Sequence, residues 1–366
     1  MKITKVTTFR VSVPVRPSVA ITSSLGSHRI SDYCLVRIET DDGIIGAGEA
    51  TVTAIWSGET GGTAKLLIDE VLGPAVIGAD PRDIDDVLGR MEAVAFGLPF
   101  TKGAIETACW DIAGKTASKP MWQLLGDDVN GAVLPSRFSV SSRDQADTVR
   151  IVREQLDAGF RAFKLKVGVS AESDVARYRA VRAEAGADVM IGVDGNGGMN
   201  AEQSIALAEA LAGDGLAFLE QPVPRDRPEV LAEIQQQVDV PVMADESVFT
   251  LAEAERVAEL GAAQVVSVYP GKNGGISRCR EIIAMLADFD IPCVIGSNLE
   301  LDVATAAVVH MIRATENVLC ARMPGDLVGP YYHERSIVRR PVRIERGQVH
   351  VPDGPGLGVE VAWNEL

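Results

Sequence analysis

Phe163-Lys164-Leu165-Lys166-Val167-Gly168 decides how the chain is read. An apolar strand core carries two lysines at i and i+2, so both ammonium groups project from one face of the strand. With Phe163, Leu165 and Val167 around them, that face points inward. Cations inside a core are costly to desolvate unless carboxylates or a metal site receive them. The strand therefore predicts acids brought to it from elsewhere in the chain.

Outward from this strand, apolar runs alternate with helical stretches. Arg137-Phe138-Ser139-Val140 is strand-like, and Asp144 to Ala158 reads as a helix ending at Gly159. Further strands follow at Ala162–Val167, Val189–Val193, Ala217–Leu219, Val240–Ala244, Gln264–Val268, Pro292–Ile295 and Val318–Cys320. Helices beginning near Glu172, Ala201, Pro228, Leu251, Ile276 and Val303 separate them. Eight strands of near-continuous apolar content at this spacing predict a parallel barrel over residues 131–322.

Residues 1–130 follow another pattern and predict an α+β domain. Ile3–Val13, Tyr33–Thr40 and Ile44–Glu49 alternate like strands, with a hairpin signal at Asp41-Asp42-Gly43. Helical periodicity then runs from Thr63 to Leu125, interrupted by Pro81, Pro99 and Pro120. Two loops, 17–32 with His28 and Arg29 and 51–62 with Trp56, are either lids over a site or plain surface loops. Residues 323–366 lose the barrel rhythm and are expected to return to the first domain. The fold class is thus α/β, an N-terminal α+β cap beside a TIM-type barrel.

Composition narrows the function. A formal net charge of −16, from 35 basic and 51 acidic residues, argues against a nucleic-acid surface. No long uninterrupted apolar run predicts a membrane span or signal peptide. The five cysteines are odd in number and scattered through apolar runs, as expected of buried thiols in a reducing cytoplasm.

Polar residues stand at the carboxyl ends of successive predicted strands: Lys164 and Lys166, Asp194 and Asn196, Glu220, then Asp245 and Glu246. They recur about one βα unit apart, which in a barrel brings them to one rim. Converging carboxylates repel unless a cation joins them, and oxygen donors without His or Cys favour Mg²⁺ over Zn²⁺. Asp194, Glu220 and Asp245 are the expected ligands, with Asn196 and Glu246 supporting them. A single acid at such a position is equally a helix N-cap; three facing two inward lysines are not explained by capping alone.

FKLKVG, VDGNGG, FLEQPV, ADES, KNGGIS and GSNLE, with WDIAGK and LLGD before them and PDGPGLGVE after, resemble the enolase superfamily, its muconate-lactonizing-enzyme and mandelate-racemase-like members. The resemblance spans nearly the whole chain and implies a modified (β/α)7β barrel. It implies one Mg²⁺ on Asp194, Glu220 and Asp245, and removal of a proton α to the carboxylate of a small acid. Lys166 matches the position of the family's base and Lys164 its helper. Glu300 matches a carboxyl that donates a hydrogen bond to the substrate carboxylate. A homo-oligomer, dimer or octamer, is also implied.

One position departs from that family's pattern. Where the muconate-lactonizing subgroup carries a second catalytic lysine on the sixth strand, this chain has Tyr269, in Tyr269-Pro270-Gly271-Lys272-Asn273-Gly274-Gly275. Val265, Ser267 and Tyr269 share one strand face, and Lys272 does not continue it; a shifted register would return Lys272 to the site. Racemisation by two bases needs comparable groups on both faces of the α-carbon, and tyrosine matches lysine poorly. The expected reaction is therefore dehydration of a β-hydroxy acid or amino acid such as cis-3-hydroxy-L-proline, ahead of racemisation, epimerisation or cycloisomerisation. Tyr269 is either the acid for the leaving group or a wall residue. His28, Arg29, Trp56 and Lys272 are candidates for substrate specificity, His310 for a packed core histidine, and Asp302 for the cap of the next helix. A non-catalytic barrel that binds a small acid is the competing class, and the paired lysines oppose it.

Overall fold

The computed structural model describes residues 1–366. Three long antiparallel strands, β1 (Ile3–Pro14), β4 (Ile30–Thr40) and β5 (Ile45–Val52), form the cap sheet in the order β1-β4-β5. The expected turn at Asp41-Asp42-Gly43 joins β4 to β5. The segment read as loop 17–32 contains a small hairpin instead, β2 (Ile21–Ser23) with β3 (Gly26–His28). Its polar residues mask a pairing that each strand is too short to announce by alternation.

β5 lies directly against the helix Pro99–Ala117. A Cβ added at Gly48 would stand 1.8 Å from Ala104 O, and one at Gly46 2.1 Å from Ala108 O, so only glycine permits this approach. Glu106 and Asp111 of that helix are fully buried. Glu106 accepts from the amides of Ile276 and Ser277, at the start of a barrel helix, and Asp111 accepts from Ala47 N and Leu357 N. Cap sheet, barrel and C-terminal segment are thereby tied to one helix.

The second sheet is parallel, in the order β13-β12-β11-β10-β9-β8-β7. Its strands are β7 (Phe138–Val140), β8 (Ala162–Lys166), β9 (Met190–Asp194), β10 (Leu216–Glu220), β11 (Val242–Ala244), β12 (Val265–Val268) and β13 (Cys293–Ile295). Intervening helices begin at Ala171, Ala201, Pro228, Leu251 and Ile276, as expected, and at Asp302. The Asn200–Gln203 and Thr250–Glu253 capping boxes fix two of these starts. The expected eighth strand, Val318–Cys320, is not a regular strand. It touches β13 through a single bridge, Cys293 to Val318, and the chain meets the other edge through Ser136 and Gly325. Pro324 lacks an amide to donate, and a Cβ at Gly325 would fall 2.8 Å from Ile295 O, so closure is irregular and close.

Residues after 323 return to the rest of the chain, where β16 (Gln348–His350) pairs with β6 (Val133–Pro135) and the Trp363 ring packs on Phe9. Asp302 does not cap its helix; its carboxylate accepts from Val342 N and Ser336 Oγ and fastens that segment. All five cysteines are free and buried. No helix is long and apolar enough to cross a membrane.

His310 is fully buried in the helix Asp302–Arg313, receiving Trp122 N at Nδ1 and meeting Leu357 O at Nε2. Burial pushes its pKa down to about 4. An unfolded histidine titrates near 6.5, so between about pH 6.5 and 4 the unfolded chain takes up a proton that the folded chain refuses. This contribution to stability is complete above pH 6.5 and is lost on acidification through that window. Replacement His310→Gln is expected to flatten the fall of unfolding free energy between pH 7 and 4.5 in urea titrations. A slope equal to that of the parent chain would refute the assignment.

Candidate active site

The barrel strands end beneath the cap hairpin, and between them lies a cavity of about 190 Å³. Lys164, Lys166, Asp194, Asn196 and Asp245 line it from the barrel side, and His28 and Trp56 from the cap side. The i, i+2 parity of the two lysines holds: both face inward.

Lys164 Nζ lies 2.7 Å from Glu220 Oε1, 2.9 Å from Asp326 Oδ2 and 3.3 Å from Asp194 Oδ2. Burial and the nearby Arg137 charge disfavour its ammonium form, yet Asp326, Glu220 and Asp194 outweigh them and raise its pKa. Its ammonium form is favoured by these three carboxylates. Lys166 Nζ donates to Asp194 Oδ2 at 2.6 Å and to Asn196 Oδ1 at 2.8 Å. Asn196 in turn donates through Nδ2 to Glu246 Oε1, which also receives the Trp56 indole N–H.

Each expected ligand carboxylate is engaged by a lysine: Asp194 by Lys166 and Lys164, Glu220 by Lys164, Asp245 by Lys272 at 2.7 Å. As placed, no three acids, histidines or cysteines close on a common point. The donor set nevertheless fits a hard divalent cation. All donors are carboxylate oxygens, and the cluster is short of positive charge. Glu246 Oε2 is buried without a partner, and burial together with Asp245 and Asp194 pushes the Glu246 pKa up to about 8. Burial also lifts Glu220 to about 7 despite Lys164 and Arg137. Asp194, Glu220 and Asp245 are the residues that would hold the ion, at the cost of loosening some lysine contacts.

Several expected residues lie elsewhere. Tyr269 is buried, does not line the cavity, and stacks behind Trp56 with ring centroids 5.8 Å apart. Burial and the surrounding acids Asp245, Glu300 and Glu246 push its pKa well above 10. Lys272 is fully buried in the turn after β12, where it donates to Asp245 Oδ1, Asp245 O and Ser267 O. It anchors Asp245 and does not line the cavity, where a specificity residue was expected. Arg29 is exposed and lines an outer groove, since β3 turns its neighbour His28 inward instead. Glu300 stands behind the wall formed by Ser297 and Asn298, its carboxylate accepting from Ser297 Oγ and Asn298 N; burial raises its pKa.

Two residues of the site were not singled out from sequence. Arg137, wholly buried just before β7, bonds Glu220 Oε2 at 3.1 Å and Asp326 Oδ2 at 2.7 Å. Asp326 also accepts from Ser139 Oγ, and its pKa is lowered because Arg137 and Lys164 overcome burial. Asp194 is the last residue of β9, whereas Asp326 lies beyond Pro324-Gly325, past the expected eighth strand. The strand-end rule applied to Val318–Cys320 points to Ala321 and Arg322 and misses it.

Residues 3–126 match the N-terminal domain model of mandelate racemase and muconate lactonizing enzyme, and 147–365 match the enolase C-terminal domain-like model. The chain belongs to the enolase superfamily. Within it, the N-succinyl-L-Arg/Lys racemase of Bacillus cereus is 29% identical over all of this chain and 97% of its own length. Muconate cycloisomerase 1 of Rhodococcus opacus is 31% identical over 99% of this chain and 96% of its own. The crystal structure of an Enterococcus faecalis dipeptide epimerase complexed with Mg and L-Leu-L-Tyr superposes with a TM-score of 0.93 at 29% identity, covering 98% of this chain and all of that one. These enolase-superfamily relatives are a racemase, an epimerase and a cycloisomerase. Their activities reverse the order expected from Tyr269, which had put dehydration first.

Removing one member of a buried ionic group leaves its partners uncompensated, at about 3–5 kcal/mol. Arg137→Met is accordingly expected to lower the unfolding free energy by that much in denaturant titrations. A loss under about 1 kcal/mol would mean that Glu220 and Asp326 are balanced without it.

Proposed function

We propose that the chain moves a proton at the carbon α to the carboxylate of a small acid, as a racemase or epimerase of an amino acid or amino-acid derivative, with Lys166 as base. The observation that carries this reading is Lys166 on the cavity wall, its Nζ oriented by Asp194 and Asn196. Mg²⁺ bound by Asp194, Glu220 and Asp245 would stabilise electrostatically the second negative charge that develops on the substrate carboxylate. Lys164, held against Asp326 and Glu220, would add positive charge beside it. Lys166 takes the α-proton, and its contacts to Asp194 and Asn196 hold the ammonium that results. The racemase and epimerase relatives, which match the whole chain in length, support this reaction class.

β-Elimination of water, for instance from cis-3-hydroxy-L-proline, is the second reading, favoured by Tyr269. A phenol kept protonated behind Trp56 leaves the barrel side with a single working base. Syn elimination needs no more than one.

The test is incubation of Mg²⁺-loaded enzyme in D₂O with N-acyl amino acids, dipeptides, hydroxyproline isomers and cis,cis-muconate, read by NMR and chiral chromatography. Inverted product carrying α-deuterium is expected, reduced about 10²–10⁴-fold in Lys166→Ala and abolished by chelation until Mg²⁺ is restored. Water loss without inversion would move the second reading to first place. Lactone formation from muconate alone would make the reaction a cycloisomerisation. Absence of α-exchange in every tightly bound acid would sink the α-proton reading altogether.

A further inference from the structure

With Tyr269 behind Trp56, epimerisation lacks a second proton carrier on the barrel wall. The cap supplies a continuous alternative. His28, at the end of β3, lines the cavity, and its Nε2 lies 2.7 Å from Ser31 Oγ. Ser31 is buried, and the same oxygen lies 3.1 Å from Nε2 of buried His333. That nitrogen also lies 2.7 Å from the Tyr33 hydroxyl. The chain ends on two backbone carbonyls: His333 Nδ1 is 2.9 Å from Gly329 O, and Tyr33 Oη is 2.7 Å from Leu299 O.

Counting protons fixes what the chain can do. Carbonyls only accept, so His333 Nδ1 carries hydrogen for Gly329 and Tyr33 gives its hydrogen to Leu299. His333 Nε2 then has two arrangements. Without a proton it accepts from Ser31, Ser31 accepts from His28 Nε2–H, and His28 Nδ1 is a free base. With a proton it donates toward Ser31 and Tyr33, Ser31 donates to His28 Nε2, and the hydrogen of His28 sits on Nδ1. The first arrangement leaves the short Tyr33–His333 contact without a proton; the second shares the single Nε2 hydrogen between the Ser31 and Tyr33 oxygens. Burial favours the uncharged first form and pushes the His333 pKa down to about 4, so the charged second form is the minor one, created when a proton taken from substrate passes inward.

We propose that His28 is the acid/base on the cap side of the substrate, exchanging its proton through Ser31 with His333. Running as an acid, His28 Nδ1 gives its proton to the substrate carbon, Ser31 gives its own to His28 Nε2, and His333 Nε2 reprotonates Ser31. Three protons each move one place and no electrons are transferred. The positive charge of His333 is spent neutralising the carbanion, and running as a base reverses every move. Ser31 and His333 are positioning and relay residues; only His28 touches substrate. The inference rests on α-proton transfer in this cavity, with Lys166 on the barrel side and His28 on the cap side.

Two readouts test it. In D₂O with a substrate found active, His28→Gln is expected still to exchange the α-proton removed by Lys166 while inverted product falls at least about 100-fold. A fall below about threefold would overturn the proposal. Independently of any substrate, ¹⁵N NMR of the imidazoles reads the His28 tautomer. Ser31→Ala and His333→Asn are each expected to shift its Nδ1–H to Nε2–H ratio, and an unchanged ratio in a folded variant would overturn the relay. Failure of α-exchange in the parent enzyme would strike the reaction class, whereas the NMR arm judges the relay alone.

Discussion

Lys164 is the point on which the site depends. Its ammonium is buried against Glu220, Asp326 and Asp194. A charge so placed is tolerable only when its partners are fixed: Asp194 and Glu220 are held at the ends of β9 and β10, and Asp326 in the irregular segment that closes the barrel. Arg137 ties Glu220 to Asp326, Lys166 and Asn196 hold Asp194, and Lys272 holds Asp245. The β8, β9 and β10 strand ends are thus locked together by charge as well as by backbone pairing, and β11 is tied in the same way to the turn after β12. Burial, with neighbouring acids adding to it, lifts Glu220 to about 7 and Glu246 to about 8, which leaves room for a divalent ion.

The cap completes what the barrel begins. Barrel strands bring rigid charged groups to one rim, while the β2–β3 hairpin and Trp56 close the space above them. Ser24 Oγ donates to the carbonyls of Gly195 and Asn196, pinning the hairpin tip to the loop after β9. Trp56 then works in two directions, donating to Glu246 and covering Tyr269. The cap thus shapes the upper wall of the cavity, and through Trp56, Glu246 and Asn196 it is also connected to Lys166.

Strand parity read the lysines well. Lys164 and Lys166 share the inward face, and Lys272, off the face of Val265, Ser267 and Tyr269, leaves the cavity. Parity could not say how far inward a side chain sits: Tyr269 occupies the expected strand position, yet the Trp56 ring lies over it. Glu300 likewise falls behind Ser297 and Asn298, because the backbone bends after β13 and Leu299 adopts a positive φ of 62°.

The sequence by itself determined the barrel, the cap sheet and the acids at the ends of β9, β10 and β11. Each follows from local periodicity or from a spacing of one βα unit, and local rules survive folding when an element packs as its own pattern demands. Tertiary structure alone decided the partners separated by long stretches of chain: Arg137 with Asp326, His28 with His333 through Ser31, and the turning of His28 inward while Arg29 faces out. No periodicity links such residues. Their pairing is enforced by the cost of leaving a buried polar group unmatched, and that cost exists only once cap and barrel have come together.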